Sequence, residues 1–340
     1  YSISRRDLNK LLLDKAEETG LVDCVFEQPL KAVDLIDQSL TFTNQIEAVK
    51  YKRLIGADGA NSIIRASIVD HLNASESIEP LAHSYKELCI PSKGGDFQLD
   101  KNALHIWPRG TFMLIALPNL DGSFTVTLFM PNSGDVSFES INDKESLLNF
   151  FETYFSDVIP LIPDLVTDFF SNPTGKLATV RCDSWHVDDN ALILGDAAHA
   201  IVPFHGQGMN CGFEDCYDLI DIMSQQSSWQ SSFTEFERIR KPNANAIADM
   251  ALENYVEMRD SVRQPEFLLK KKFAFKLNEW FPERFIPRYA IVMFSEIPYA
   301  ESQHLGKLHD ELLNQLINQF GEPDNLDKSE VAFIMESYGL

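Results

Sequence analysis

ALILGDAAHAIVPFHGQGMN, residues 191–210, is the part of the sequence from which the architecture follows most directly. A buried-strand pattern, ALIL, precedes a turn at Gly195 and Asp196, and a proline and the glycine-rich helix start GQGMN follow. Because open α/β sheets bind ligands beyond the carboxyl ends of their strands, we expect Asp196 at a ligand site. A carboxylate buried there needs hydroxyl or amide partners, such as a sugar supplies. Free N–H groups at the helix start favour negative charge on the same ligand.

A second acidic turn lies upstream, in GADGANSIIR at residues 56–65. Asp58 follows a predicted strand, and Gly59 permits close approach of another backbone. Ser62 and Arg65 are predicted to share one face of the helix that follows. Taken alone, this segment fits a helix cap as well as it fits a ligand site. Together, the two turns favour a site for a large ligand with hydroxyl groups near one end.

Composition excludes several classes of function. A chain of 340 residues is long enough for two domains or one large domain. The net charge of −22 argues against binding to nucleic acid or anionic lipid. No apolar run approaches the ~20 residues that a membrane anchor needs, and no secretory signal is visible. The five cysteines are scattered without metal-ligand spacing, so we expect reduced thiols, no metal and a cytoplasmic location.

The pattern along the chain predicts three kinds of structure. Short strands are predicted at 22–26, 40–43 and 52–55. Aromatic and β-branched runs after about residue 76 indicate an antiparallel sheet, and a helix is predicted near 143–155. After Gly208 the pattern is helical almost to the end, with breaks predicted at Pro242, Pro265, Pro282 and Pro287.

Two motifs carry a specific resemblance. DGxxSxxR (58–65) and GDAAHxxxPxxGQGxN (195–210), in this order, resemble the two downstream flavin motifs of the single-component, FAD-dependent aromatic hydroxylases. The runs LHIWP, PTGKLAT, MALENYVEM and RFIPRYA most closely resemble the soluble bacterial members that hydroxylate L-kynurenine. The resemblance extends from the first helix to about Pro298. It implies an α/β fold with an FAD-binding Rossmann-like core, an inserted antiparallel β-sheet substrate domain and a helical C-terminal region.

The resemblance also implies domain boundaries and an activity. Residues 1–75 and 176–245 are expected to form parts of the FAD-binding core, 76–175 the substrate-binding sheet domain, and 246–340 the helical region. The implied reaction converts L-kynurenine to 3-hydroxy-L-kynurenine with NADPH and O₂, a step of tryptophan degradation and NAD biosynthesis. FAD performs the chemistry, so no side chain is assigned as catalytic.

Roles for single residues follow from the same resemblance. FAD contacts are expected at Arg5, Leu30, Asp58, Asp196, Gly208, Met209 and Asn210, with Leu30 placed by spacing. Asn254 and Tyr289 are expected to bind the carboxylate of the substrate. The wall around the aromatic ring is expected to comprise Leu104, Met113, Ile115, Leu117, Phe129, Pro203, Phe204, His205 and Met258. The alternation at 113, 115 and 117 also fits an ordinary half-buried strand. His199 is expected to be packed in its turn, with no carboxylate–His–Cys set around it.

The chain departs from the family pattern at one point, because it contains no GxGxxG segment after an opening strand. We therefore expect an incomplete FAD-binding core that lacks about its first hundred residues and binds FAD weakly. Two alternatives stay open. One is another single-component flavin hydroxylase that acts on a phenol or a benzoate, and the other is a non-catalytic fragment. A homodimer is also left open.

Overall fold

The computed structural model describes the backbone of residues 5–259 and 264–340, and the side chains of 8–258 and 264–340. The chain divides into two compact units. The first unit comprises Tyr1–Lys31, Leu40–Val49 and Glu79–Ala178. The second unit comprises Ala32–Ser39, Lys50–Ile78 and Thr179–Leu340. Each unit is described by itself below.

Helices and strands alternate in the first half of the chain, and helices dominate the second. The helices are α1 Arg5–Glu18, α2 Ile63–Leu72, α3 Lys144–Tyr154, α4 Leu165–Ser171, α5 Asp196–His199, α6 Gly208–Gln225, α7 Trp229–Arg259, α8 Pro265–Trp280, α9 Arg288–Phe294, α10 Tyr299–Phe320 and α11 Lys328–Ser337. The strands are β1 Leu30–Asp34, β2 Ser39–Phe42, β3 Val49–Lys50, β4 Leu54–Gly56, β5 Glu76–Ile90, β6 His105–Pro108, β7 Met113–Pro118, β8 Phe124–Pro131, β9 Thr174–Cys182, β10 His186–Val187 and β11 Ala191–Ile193. A 3₁₀ turn spans Pro203–His205. Among the described helices, none combines the length and the apolar character that a membrane crossing requires.

The predicted antiparallel sheet is confirmed. Its strand order is β6-β7-β8-β5-β9, and the pairs β6–β7, β7–β8 and β8–β5 are antiparallel. Leu114 and Leu128 face each other across β7 and β8 and belong to one buried apolar cluster with Phe151 of α3 and Phe169 of α4. One face of the sheet is therefore covered by helices of its own unit. A separate small sheet has the order β1-β2-β3.

The second unit contains the parallel pairing that an α/β core requires. Its sheet has the order β10-β11-β4, with β10 antiparallel and β4 parallel to β11. All three residues of β11 are fully buried, as expected for a strand covered on both sides. The parallel register fixes where β4 and β11 end, and this decides the position of the two acidic turns. The α/β class predicted from the sequence is confirmed.

One predicted helix break is wrong. Helix α7 continues through Pro242, although an interior proline removes a backbone hydrogen bond at a cost of about 3 kcal/mol. Asn243 Nδ2 donates to the carbonyl of Ile239 at 2.9 Å, and α6 and α10 both pack along α7. Packing thus outweighs local propensity. The other three breaks are confirmed, because α8 begins at Pro265, Pro282 follows its end and Pro287 precedes α9.

The strand predicted at 22–26 is also wrong, because the chain there forms no ladder. Val25 and Phe26 are 72% and 62% exposed, so the apolar pattern of this segment buries little surface. The first strand of the described chain is β1, which begins four residues after Phe26. β-branched and aromatic residues become a strand only where a partner strand and a buried face exist.

Candidate functional site

The ends of β4 and β11 place the two acidic turns at one edge of the parallel sheet. Ile193 pairs with Gly56 at the ends of the strands, and Leu194 N donates to the Gly56 carbonyl at 3.0 Å. Asp58 follows β4 and Asp196 follows β11. Both carboxylates therefore come from the edge of the sheet where α/β proteins bind ligands.

Asp58 holds the first of these turns in shape. Its carboxylate accepts hydrogen bonds from Ser62 Oγ at 2.5 Å and from Ile63 N at 2.8 Å. Ser62 is the N-cap of α2 and accepts from Arg65 N at 2.8 Å. The turn and the cap are thus one hydrogen-bonded unit. The contact of Asp58 with a cofactor stays a prediction.

Arg65 connects the two acidic turns. Its guanidinium is 2% exposed and donates to the Ala60 carbonyl of the first turn and to the Ala197 carbonyl beyond the second, both at 2.8 Å. Its Nε donates to Glu76 at 2.6 Å. These partners compensate the burial of the charge, which would otherwise be costly. The predicted common face of Ser62 and Arg65 therefore serves to join the turns.

Asp196 is exposed, not buried as expected. Gly195, before it, has φ 58° and ψ −144°, a conformation that is costly for any residue with a Cβ atom. This turn leads the chain out of the buried strand, so the first residue of α5 lies at the surface of the unit. The Asp196 carboxylate is consequently accessible to a ligand, and its contact with one stays a prediction.

The start of α6 offers backbone N–H groups. The N-cap, Gln207, makes no side-chain capping bond within the described chain. Its Oε1 instead accepts from Asn210 Nδ2 at 2.9 Å and from Tyr299 OH at 3.1 Å. Gln207 is buried, whereas Met209 and Asn210 are exposed. Gln207 therefore fixes the helix start on its buried side, while Met209 and Asn210 are accessible on the other side. This arrangement suits an electron-rich edge of a ligand.

A buried ion-pair network lies behind the second turn. Asp215 of α6 accepts from Gly195 N at 2.8 Å, faces His199 Nε2 at 2.5 Å and accepts from Arg240 Nε at 2.8 Å. Burial would raise the pKa of Asp215, but His199 and Arg240 outweigh it and lower that pKa. Burial would likewise lower the pKa of His199, but Asp215 raises it well above its ordinary value. The network is thus ionic and fixes the backbone of the Gly195–Asp196 turn.

The expectation that no carboxylate–His–Cys set surrounds His199 is wrong. Cys211 and Asp215 lie one turn apart on α6, and with His199 they offer ligand atoms within 4.8 Å of one another. Arg240 occupies the same place, with its NH2 atom 3.4 Å from the Cys211 sulfur. Because two cationic groups already neutralise Asp215, we interpret the set as an ion-pair network and not as a metal centre.

A second group of predicted residues meets around the 3₁₀ turn of the second unit. Asn254 Nδ2 donates to the Phe204 carbonyl at 2.6 Å and lies 3.5 Å from the Met258 sulfur. The Tyr289 ring stacks on His205, with ring centroids 5.4 Å apart. The structure therefore brings five of the predicted substrate residues together. Their contact with a substrate stays a prediction.

His205 is a neutral imidazole, and one of its ring nitrogens makes no hydrogen bond within the described chain. Burial and the nearby positive charge of Arg288 lower its pKa to about 4. Its Nδ1 is buried and has no hydrogen-bond partner within the described chain. A neutral imidazole can donate from one nitrogen and accept at the other. A bound ligand would supply the missing hydrogen bond to this nitrogen. Pro203, the first residue of the same turn, is exposed.

In the first unit, four of the other predicted ring contacts share one face of the sheet. Met113 pairs with Phe129 across β7 and β8, and Ile115 and Leu117 follow on the same face because strand residues alternate. This is the face opposite the one covered by α3 and α4. Leu117 is 37% and Leu104, before β6, is 42% exposed. Their assignment to a substrate wall stays a prediction.

Two predicted FAD contacts lie early in the chain. Arg5 is the first residue of α1, and its side chain lies outside the described residues. Leu30 begins β1 and is half-buried. Their roles also stay predictions.

Comparison with known proteins agrees with this geometry. Residues 158–251, which include the second acidic turn and all of α6, match the model of the FAD binding domain. The fold resembles 2-methyl-3-hydroxypyridine-5-carboxylic acid oxygenase, with a TM-score of 0.62 and 21% identity over 77% of this chain and 69% of that one. It also resembles Klebsiella pneumoniae HpxO, solved with FAD and uric acid, with a TM-score of 0.60 and 15% identity over 93% of this chain and 71% of that one. The fold and the matched domain together identify an FAD-binding flavoprotein.

Closer relatives narrow the class. The kynurenine 3-monooxygenase of Myxococcus xanthus is 46% identical over 99% of this chain and 74% of its own length. That of Dictyostelium discoideum is 42% identical over 98% of this chain and 75% of its own length. The chain belongs to the kynurenine 3-monooxygenase family.

Proposed function

We propose that this protein hydroxylates L-kynurenine to 3-hydroxy-L-kynurenine, with FAD as cofactor and with NADPH and O₂ as co-substrates. The observation that carries the proposal is the 46% identity with a kynurenine 3-monooxygenase over 99% of the chain. That alignment includes both acidic turns, the start of α6 and the residues around the 203–205 turn. NADPH, a homodimer and the cytoplasmic location are part of the proposal and rest on the sequence alone.

The second unit fits the flavin end of FAD. Ribityl hydroxyls suit the exposed carboxylate of Asp196, and the open N–H groups at Gly208–Asn210 suit the electron-rich edge of the ring. When bound, FAD supplies the redox chemistry of the reaction. The chain's own part is to hold the turn and the helix start in place, through Asp215 and Gln207.

The 203–205 turn fits the amino-acid end of kynurenine. Asn254 holds this turn through its hydrogen bond to the Phe204 carbonyl. The Tyr289 hydroxyl can donate to a carboxylate, and Arg288, next to Tyr289, adds positive potential. That potential reaches the turn, since Arg288 contributes to the low pKa of His205. Neutral His205 offers its partnerless Nδ1 to the polar groups of the substrate. The set thus suits the polar amino-acid end of an aromatic substrate.

The reaction itself places modest demands on side chains. The ring carbon that receives oxygen lies beside the aniline nitrogen, which already makes that carbon electron-rich. No strong base is needed, so the task of the protein is to orient the ring and to keep water away. Buried Phe204, stacked on Tyr255 with centroids 4.1 Å apart, supplies a rigid apolar surface for this purpose.

Two substitutions test the proposal. In FAD-loaded protein, Asn254→Ala and Tyr289→Phe should each weaken L-kynurenine binding about tenfold or more. The first change removes the hydrogen bond that holds the Phe204 carbonyl, and the second removes a hydroxyl that donates to the substrate. FAD affinity should change little, since neither side chain contacts the acidic turns. Titrations of both ligands, followed by flavin fluorescence, measure the two affinities.

The matched control is Tyr217→Phe, at a tyrosine of α6 that is 75% exposed. It should leave the affinities for kynurenine and FAD unchanged. Unaltered kynurenine affinity in both Asn254→Ala and Tyr289→Phe would refute the assignment of the substrate site.

A further inference from the structure

A cavity of about 270 Å³ lies among the C-terminal helices of the second unit. None of its lining residues belongs to the sites described above. Its apolar walls are Ile286, Ile291 of α9, Ile297 and Leu305 of α10, and the one imidazole on its wall is His309. Small-molecule sites are typically concave and apolar with a few polar groups, and this cavity has that composition.

His309 is the unusual feature of this cavity. Its side chain is only 5% exposed, and neither Nδ1 nor Nε2 has a hydrogen-bond partner within the described chain. The ring packs on Phe285, with centroids 4.3 Å apart. Burial lowers the pKa of His309 to about 4, so the imidazole is neutral near pH 7. Leaving such atoms unpaired costs about 1–3 kcal/mol each, and buried polar groups normally find a partner.

Two of the charged groups near the cavity are already engaged, and a third, Glu283, lies exposed on its wall. Arg284 donates to the Leu340 carbonyl and lies over the Phe281 ring. Asp310, next to His309, pairs with Lys270 at 3.0 Å. An occupant therefore meets apolar walls and one neutral imidazole that can both donate and accept. An anionic occupant would lose hydration without gaining a free counter-charge and would face the Glu283 carboxylate.

We propose that this cavity binds a small neutral molecule that has an apolar body, preferably an aromatic ring, and one hydroxyl or amide group recognised by His309. A cavity of ~150 Å³ is known to hold benzene, so the larger volume here accommodates a substituted ring. The proposal does not depend on the oxidation of kynurenine proposed above.

Phenol is the probe, because its hydroxyl can both donate and accept. FAD-loaded protein is titrated with phenol by isothermal calorimetry, with and without saturating L-kynurenine. We expect saturable binding in both cases, because phenol in this cavity does not compete with a ligand elsewhere. Loss of phenol binding when kynurenine is present would place the probe at the substrate site and overturn the proposal.

Variants locate the binding. His309→Phe keeps the ring and its packing on Phe285 but removes both nitrogens, so phenol affinity should fall at least tenfold. Leu305→Trp fills the cavity and should abolish binding. Leu268→Trp is the matched control, because Leu268 is 48% exposed on α8 and does not line the cavity. Melting temperatures of all three confirm that they are folded.

A readout on the unaltered protein removes any dependence on the variants. In ¹⁵N spectra of the imidazole, phenol should shift the His309 resonances, and the melting temperature should rise with the logarithm of phenol concentration above the dissociation constant. The proposal fails if phenol does not saturate, if Leu305→Trp binds as well as the unaltered protein, or if a phenol-soaked crystal shows only water beside His309.

Discussion

Asp215 connects three parts of the site, because one buried carboxylate serves the Gly195 amide, His199 and Arg240. Replacement by Asn keeps the shape but leaves buried His199 without its counter-charge, whereas Arg240 keeps its ion pairs with Glu214 and Asp218. Removing one partner of a buried ion pair typically costs about 3–5 kcal/mol. We therefore expect Asp215→Asn to lower the free energy of unfolding by that amount and to weaken FAD binding.

Urea denaturation and flavin titration measure the two effects. Asp221→Asn is the control, because Asp221 lies on the exposed face of the same helix. It should change neither quantity appreciably. If the two variants were equally stable, the network would not hold the turn.

The same network predicts a pH dependence. The pKa of Asp215 is lowered on folding, so its stabilisation is present above about pH 4 and is lost as pH falls through the folded value. The pKa of His199 is raised on folding, so its stabilisation is complete below about pH 6.5 and declines as pH rises toward the folded value. The stability difference between unaltered protein and His199→Asn should hence be largest between about pH 4 and 6.5.

Unfolding by urea between pH 4.5 and 9 checks this prediction. The difference should shrink steadily above about pH 6.5. A difference that grows with pH would show that His199 is neutral in the folded protein.

Sequence reasoning reached some of these residues and missed others for a physical reason. Ser62 and Arg65 lie three residues apart, so their common helix face could be predicted. Asp215 and Arg240 are on different helices, and no local sequence pattern predicts their contact. The exposure of Asp196 was likewise missed, because it depends on the backbone conformation of Gly195 and not on residue type.

At the scale of elements, helices α7, α9 and α10 meet at Arg288. This residue of α9 pairs with Glu253 of α7. Opposite it, α10 carries Gly306, where an added Cβ would lie 2.3 Å from Arg288 Cδ and 2.9 Å from Cγ. The missing side chain of Gly306 thus makes room for the ion pair. Because Tyr289 follows Arg288 directly, the three-helix junction also sets the position of Tyr289 against His205.

Gly306→Ala should therefore push Arg288 away from Glu253 and shift α9. We expect a severalfold weaker affinity for L-kynurenine with FAD affinity unchanged, measured by the titrations described above. Lys307→Ala, at an exposed neighbouring position of α10, is the control and should behave as the unaltered protein does. Equal kynurenine affinity in Gly306→Ala and the control would contradict this role of the junction.

Element boundaries were predictable where local signals are strong. Helix α3 was expected near 143–155 and spans Lys144–Tyr154, with Asp143 and Ser146 forming a capping box. The helix break predicted at Pro242 was wrong, because the local rule that proline ends a helix is outweighed there by the packing of α6 and α10 on α7. The strand predicted at residues 22–26 was wrong because the apolar pattern there has no partner strand to pair with.

At the scale of the whole molecule, the order of motifs was more informative than composition. The net charge and cysteine pattern only exclude classes of function, whereas two acidic turns followed by a glycine-rich helix start predict one kind of cofactor site. The parallel pairing of β4 and β11 explains why motifs more than a hundred residues apart form one edge. The domain boundaries stay predictions, as does the substrate wall on the sheet of the first unit.

The central claim is that the protein oxygenates the ring of L-kynurenine. In the most direct test, the protein is incubated with FAD, NADPH, O₂ and L-kynurenine. NADPH consumption is followed together with the mass of the product and the ring position of the added oxygen. The account predicts kynurenine-dependent NADPH consumption and a product heavier by one oxygen atom at ring position 3. NADPH consumption coupled to a phenol or a benzoate but not to kynurenine, or no oxygenated product at all, would contradict it.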